Sequence, residues 1–258
     1  MIYSLLSAPG AAADGLTMAY IIVSVLLGIA IVVALIAQIA IIVGYFRGNR
    51  RENSLGLTGG ELARKVLDEK GMADVKVKKC TFLRALFFGN HYSISKKTVY
   101  LRKYTIDKKS LTSSAMALQK VALAEQHRNG DKKMIVRSRL QGLGIFAPAM
   151  FIPFVIIGIL VDALVLAYPL VTYIAIVFGV LFIVFGFIVT ILNYPVEKKA
   201  MARAVRWMEE ENLATAEEKE IIRKIYRSYL IEYAMQIVVA ILRLIQMILK
   251  ILMAAKKR

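Results

Sequence analysis

The strongest constraint on the fold is the apolar run from Leu16 to Phe46, which contains no charged residue. A helix needs ~20 apolar residues to cross a bilayer, and two further segments reach that length. Residues 143–168 carry one charge, Asp162, and residues 171–194 carry none. The chain is 58% hydrophobic, with a mean hydropathy of +0.60, which is too apolar for an ordinary soluble domain. We therefore predict a mainly α-helical integral membrane protein with three transmembrane helices, 16–46, 143–168 and 171–194.

The charge distribution predicts an orientation in the membrane. The chain carries a net charge of +17, and the segment from Arg47 to Gly142 holds 22 Lys and Arg against 8 Asp and Glu. Lys and Arg accumulate on the cytoplasmic side of membrane proteins. We expect residues 1–15 to form an extracytoplasmic tail, and residues 47–142 to form a basic cytosolic domain at the plasma membrane. Anionic lipid headgroups are the expected partners of this surface. A nucleic-acid partner is not expected, because no aromatic residues interleave with the basic ones.

The segment 47–142 has the pattern of a small α+β domain. Thr58 and Glu61 fit a capping box at the start of a helix. The alternation in residues 74–78 and the two apolar runs 91–94 and 98–102 predict strands, with the last two forming a hairpin. The run from Phe82 to Phe88 fits a strand, a short helix or a loop that dips into the membrane. A second helix is predicted from Leu111 to Asn129-Gly130, and Cys80, the one cysteine, is expected to be a packing residue.

The C-terminal part is predicted to be helical throughout. Pro195 is suited to the first turn of a helix, so residues 195–228 are expected to form cytosolic helices, with a second capping box at Thr215 and Glu218. Residues 229–258 form a wide apolar helix with a basic tail. Its polar residues fall on one stripe: Glu232, Gln236, Arg243, Gln246 and Lys250. An amphipathic helix in the membrane interface explains this stripe, and a true span is the alternative.

Four segments, in this order, carry a family resemblance. They are Gly56 to Arg64 (GLTGGELAR), His91-Tyr92, Ala124 to His127 (AEQH) and Tyr194 to Glu197 (YPVE). Together they resemble the YugP-type membrane zinc metallopeptidases, whose layout is similar to that of the HtpX-like membrane proteases. The resemblance implies a metallopeptidase-like cytosolic domain in which one helix carries a His-Glu-x-x-His zinc motif, and a later carboxylate supplies the third ligand.

The chain departs from that motif at each functional position. With Gln126-His127 as the anchor, Gln119 stands at the first zinc histidine, Lys120 at the catalytic glutamate and Leu123 at the second histidine. Glu197 matches the third ligand. Leucine has no lone pair to offer a metal, and a protonated lysine cannot take a proton from a metal-bound water. We therefore expect a vestigial site, no catalytic residue and no cofactor, zinc included.

The resulting functional prediction is a catalytically inactive metallopeptidase homologue. It would act as a binding, regulatory or complex subunit whose partner is an active relative, a client of that relative or a second copy of the chain. The strand at 98–102 is taken as a sheet edge that accepts a peptide. The candidate binding residues are His91, Tyr92, Thr98, Val99, Tyr100, Leu101 and His127. Two alternatives remain, namely an active zinc metallopeptidase with a non-standard site and a lipid-associated scaffold.

Two simpler interpretations apply to the histidines. His127 lies at a helix C-terminus, where a positive charge is favourable, and His91 is expected on the surface of the hairpin.

Overall fold

The computed structural model describes residues 9–166 and 168–256. Most of the predicted N-terminal tail, residues 1–8, lies outside this part, as do the side chains of residues 9–14. The elements follow in chain order: α1 (Pro9–Asn49), α2 (Gly59–Glu69), β1 (Lys76–Lys79), α3 (Phe82–Phe88), β2 (His91–Ser93), β3 (Thr98–Leu101), α4 (Lys103–Ile106), α5 (Leu111–Arg128), α6 (Lys132–Val161), a π-helical turn (Asp162–Leu166), α7 (Leu170–Glu210) and α8 (Ala216–Lys256).

The described residues form two compact units. One consists of the residues up to Ala40 together with those from Ile231 onward, and the other is Ile41–Leu230. In the first unit, α1 and α8 run antiparallel, with Gln246 Nε2 donating to Ser24 Oγ at 2.9 Å and the Lys250 ammonium 5.8 Å from the centre of the Tyr20 ring. The second unit holds the sheet and the elements from α2 to α7.

Among the described residues, three helices are long and apolar enough to cross a membrane. They are Gly15–Asn49, Leu170–Glu210 and Ala216–Ala255. The first and second contain the predicted spans 16–46 and 171–194. The C-terminal helix also qualifies, and two members of its polar stripe contact α1. The structure therefore contains a helix with the length and composition that a true span requires.

The predicted span 143–168 is only partly described. Residue 167 and the side chains of residues 143–152, 154 and 166 lie outside the described part. Within the described residues, the stretch Val155–Val165 is a shorter apolar helix.

The sheet of the second unit has three strands in the order β1-β3-β2. Strand β3 pairs parallel with β1, where Val99 faces Val77, and antiparallel with β2, where Val99 faces Tyr92. The β2–β3 hairpin was predicted, but the position of β3 was predicted wrongly. Thr98–Leu101 form the central, fully buried strand and not a free edge. The parallel partner β1 covers the side that a peptide would need.

Local signals at the helix ends are confirmed. The Thr58–Glu61 capping box is complete in both directions, and Thr215 and Glu218 form the second one ahead of α8. Gly71, just after α2, adopts φ +66°, a conformation that suits glycine at a helix C-terminus. The segment Phe82–Phe88, for which the sequence left three possibilities, is the short helix α3.

The predicted helix start at Pro195 is wrong, because α7 runs without interruption from Leu170 to Glu210 with Pro195 in its interior. An interior proline removes one backbone hydrogen bond and usually kinks a helix. Here the continuous helix keeps Asn193 and Glu197, four residues apart, on one face. Both side chains then bind the guanidinium of Arg137. The burial of Val196 and Ala200 also stabilises this region.

Candidate functional site

Helix α5 lies at the centre of the second unit, and it carries Gln119, Lys120 and Leu123, the positions at which the sequence analysis expects a vestigial zinc motif. All of its residues from Leu111 to Gln126 are buried. It starts at Ser110, whose side chain accepts a hydrogen bond from the Ser113 N–H. Gln119, Lys120 and Leu123 are 2%, 7% and 1% exposed. Positions four apart lie on the same face of a helix, so Gln119 and Leu123 share a face, as two zinc histidines would.

Glu197 of α7 is the carboxylate that this helix meets. It is 1% exposed, and its Oε2 atom accepts a hydrogen bond from Gln119 Nε2 at 2.7 Å. The Lys120 ammonium lies 3.3 Å and 3.4 Å from the two carboxylate oxygens. The structure thus brings together three of the four predicted vestigial positions, with Leu123 one turn further along α5.

Arg137 of α6 completes this group, which we call the Glu197 cluster: Gln119, Lys120, Arg137, Asn193 and Glu197. The Arg137 guanidinium donates to Glu197 Oε1 and, through Nε, to Asn193 Oδ1 at 2.9 Å. The sequence analysis missed both Arg137 and Asn193. Helical spacing could have indicated both residues, because residues three or four apart share one face of a helix. Arg137 follows the apolar Met134 by three residues, and Asn193 precedes Glu197 by four.

The electrostatics of the cluster are unbalanced. One carboxylate faces two basic side chains inside a buried environment. Burial lowers the pKa of the Lys120 ammonium and Arg137 lowers it further, whereas Glu197 opposes both effects. An isolated charge at such a place would be very costly, so the pairing with Glu197 is what allows these cations to be buried.

Further contacts fix α5 against α7. Glu125 and Arg203 form a two-pronged ion pair at 2.8 Å and 3.0 Å. Gln126 Nε2 donates to the Val196 carbonyl at 3.2 Å. Both contacts lie C-terminal to Gln119 and Lys120 on α5, so they fix α5 against α7 beside the Glu197 cluster.

The hydrogen-bond partners of the two histidines are residues outside the Glu197 cluster. His127 Nδ1 is 2.9 Å from the Tyr92 hydroxyl. His91 Nδ1 is 3.0 Å from the Gly89 carbonyl, and its ring stacks on Tyr100 with 5.1 Å between centroids. Burial lowers the pKa of both histidines. His127 lies in the last turn of α5, as predicted, but its lowered pKa favours the neutral form there. His91 is half-buried and is not the surface residue that was expected.

We expect the stability of the protein to fall as the pH drops from about 7 to about 5. Unfolded histidines take up protons near pH 6.5, whereas the folded state resists protonation because the pKa of each is lowered. The unfolded state then binds more protons, so acid favours unfolding. The measurement is thermal unfolding in detergent across this range. The chain has two histidines, and the His91→Gln/His127→Gln variant should show a flatter profile. An unchanged slope in that variant would refute the assignment.

Asn90, the residue before strand β2, has a structural role. Its Oδ1 accepts from the Arg102 N–H at 2.6 Å, and its Nδ2 donates to Thr105 Oγ1 at 3.1 Å. An aspartate carboxylate could accept the hydrogen bond from Arg102, but it has no N–H group to donate to Thr105. The amide therefore fixes the chain between β3 and α4.

A cleft of ≈ 590 Å³ opens beside β2, one of the two edge strands of the sheet. Of the predicted binding residues, His91 and Tyr92 line it. Thr98, Val99 and Leu101 are at most 2% exposed in the central strand, and Tyr100 is 9% exposed. The structure therefore separates the predicted set into two cleft residues, a buried strand and His127, which reaches the hydroxyl of Tyr92 from α5.

Comparison with known proteins identifies the family. The model of a family described as "Putative neutral zinc metallopeptidase" matches residues 23–252. The chain is also 22% identical, over 213 residues, to the "Putative membrane protease YugP" of Bacillus subtilis (strain 168). That match covers 83% of this chain and 89% of the relative. No solved structure matches the chain.

This family corrects one prediction from the sequence, that the protein takes no cofactor. The description of the family points to zinc. The residues of the Glu197 cluster do not fit that ion, however. Glu197 is the one side chain there that ligates zinc well, and it already accepts bonds from Gln119, Lys120 and Arg137. Within the residues that the structure describes, no group of three or more His, Cys, Asp and Glu could hold a metal.

The fold and the comparison lead to one assignment. Gln119 and Lys120 of α5 contact the carboxylate of Glu197 on α7, and α1 and α7 are both apolar and long enough to cross a membrane. The family match extends over nearly the whole chain, including all of these elements. The chain is a membrane protein that belongs to the putative neutral zinc metallopeptidases, the family that includes YugP-type membrane proteases.

Proposed function

We propose that this member of the family binds and regulates other proteins and does not cleave them. The observation that supports this proposal is the Glu197 cluster. A metallopeptidase of the His-Glu-x-x-His type needs a carboxylate that takes a proton from a metal-bound water. Here that position holds Lys120, whose ammonium points at Glu197. An ion-paired ammonium has no lone pair to accept a proton.

The ion pairs give these residues another role, which is to hold the scaffold together. Glu197 joins α7 to α5 through Gln119 and Lys120, and to α6 through Arg137. A buried cluster of this kind contributes to specifying one packing of three helices, while its net contribution to stability is small. In this proposal the family fold serves to present surfaces that bind other proteins. The partner that we propose is a protein, either an active relative, one of its clients or a second copy of this chain.

The proposed orientation follows from the charge distribution. With the N-terminus outside, the basic residues of the second unit face the cytoplasm, as the positive-inside rule requires. The regulatory surface would then be available to cytosolic segments of other membrane proteins.

The test is a proteolysis assay on the full chain, purified in detergent and supplied with zinc. A fluorescently labelled unfolded protein such as casein is the substrate. We expect the cleavage rate to equal that of the buffer blank, and a zinc chelator to leave it unchanged. Chelator-sensitive cleavage that copurifies with the chain, and that falls more than about tenfold in a folded Lys120→Met variant, would refute the proposal and support the active, non-standard site.

A further inference from the structure

Helix α3 presents its apolar side chains to the surroundings. Within Phe82–Phe88, no residue is buried. Phe82 is 81% exposed, Leu83 65% and Leu86 61%. Residues three and four apart are neighbours on a helix surface, so these three side chains form one continuous apolar face. Large contiguous apolar faces on a protein surface usually mark an interaction site.

Polar contacts with Arg102 hold the C-terminal half of α3. Arg102 donates to the Ala85 carbonyl at 2.8 Å. Gly89 ends the helix with φ +61°, and an added Cβ would lie 3.3 Å from the Arg102 guanidinium. The short helix is thus tied to the chain after β3, which leaves its apolar face directed away from the sheet.

The cleft beside β2 adjoins this helix and is basic. Its lining includes Arg84 and Phe88 of α3, Lys96 of the β2–β3 turn and Arg139 of α6, and among the described side chains no Asp or Glu lines it. Arg84 also lies over the ring of Tyr100, 4.1 Å from its centre. A basic cleft bordered by exposed apolar side chains matches an interface between phosphate groups and hydrocarbon.

The path of α6 places the cleft close to an apolar segment. Gly142, at one end of the cleft, lies within α6. The predicted span 143–168 begins at the next residue. The lining of the cleft therefore adjoins a segment with membrane composition.

We propose that α3 inserts its apolar face into the surface of the bilayer, and that the adjacent basic cleft binds the phosphate group of an anionic phospholipid. Helices with an apolar face and flanking cations lie in membrane interfaces in this way. Each Lys or Arg close to an anionic bilayer contributes an attraction equivalent to roughly a fivefold change in binding. The occupant is thus the bilayer in which the protein itself resides.

The test uses the full chain in nanodiscs with a probe on α3. Cys80, the one cysteine, is changed to serine, and Leu83→Cys is labelled with an environment-sensitive fluorophore. The bilayers contain phosphatidylcholine with or without phosphatidylglycerol, together with brominated lipids that quench a buried probe. We expect quenching and a blue-shifted emission, both stronger in the anionic bilayer. The same label at Lys65→Cys, on the exposed face of α2, should remain in water.

Charge variants separate the cleft from general attraction. Lys96→Gln/Arg139→Gln should lower the ratio of inserted to exposed probe in the anionic bilayer by roughly fivefold per charge. The matched control, Lys65→Gln/Lys224→Gln, removes the same net charge from exposed positions elsewhere and should leave the ratio unchanged.

Three results would overturn the proposal. The probe could remain unquenched in both bilayers, or the two double variants could behave alike. A soluble acidic peptide could also protect the probe in neutral nanodiscs as well as anionic lipid does, which would assign the cleft to a protein ligand.

Discussion

Replacement of Glu197 by alanine is expected to lower the free energy of unfolding by about 3–5 kcal/mol, because it leaves two buried cations without a counter-charge. Lys120 and Arg137 are 7% exposed, so water cannot solvate them in place. Gln119 would also lose the acceptor of its 2.7 Å hydrogen bond. The measurement is reversible unfolding of the full chain in mixed micelles, followed by the fluorescence of Trp207, which is fully buried.

The matched control is Glu209→Ala. Glu209 also pairs with an arginine, Arg223, but both side chains are about half exposed, and surface ion pairs contribute about 0–1 kcal/mol. A second variant, Lys120→Met/Glu197→Ala, removes one of the two unpaired cations and should recover part of the loss. If Glu197→Ala were as mild as Glu209→Ala, the cations would not depend on Glu197.

The second large effect is expected from rebuilding the family motif. The triple variant Gln119→His/Lys120→Glu/Leu123→His places two imidazoles four residues apart on α5, next to Glu197. That donor set is typical of a catalytic zinc site with an open position for water. We expect the variant to retain about one equivalent of zinc more than the native chain after dialysis, as measured by elemental analysis.

The structure predicts that Arg137 limits this gain. Its guanidinium donates to Glu197 and would compete with the metal for the carboxylate. Adding Arg137→Gln to the triple variant should therefore tighten zinc binding by about tenfold or more, as changes in residues that orient metal ligands do. The single variant Gln119→His is the control and should bind no additional zinc. If the triple variant and this control retained equal zinc, α5 would not be the metal helix.

Sequence reasoning succeeded where the signal is local. A capping box needs only Thr58 and Glu61, three residues apart, and both of its hydrogen bonds are present. The β2–β3 hairpin follows from two apolar runs on either side of a short polar turn. The pairing of Lys120 with Glu197 also could be anticipated, since a buried ammonium requires a counter-charge.

The errors arise where distant segments compete with local preference. Pro195 is a common first residue of a helix, but the shared contact of Asn193 and Glu197 with Arg137 favours a continuous α7. Strand β3 has no local mark of being central. It pairs in parallel with β1, although α3 and β2 lie between the two strands in the sequence. The alternation of residues within a strand does not reveal which distant strand it pairs with.

A single carboxylate, Asp162, closes the connection between α6 and α7. Its two oxygens accept from the N–H groups of Val171 and Thr172 at 2.8 Å and 2.7 Å, while a Cβ on Gly158 would lie 3.1 Å from the Thr172 Cα. The N–H groups of Val171 and Thr172 at the start of α7 thereby have acceptors within the protein, which the hydrocarbon of a bilayer could not supply. The connection between α6 and α7 is therefore closed by the chain itself, and these two donors need no partner from lipid or from another protein.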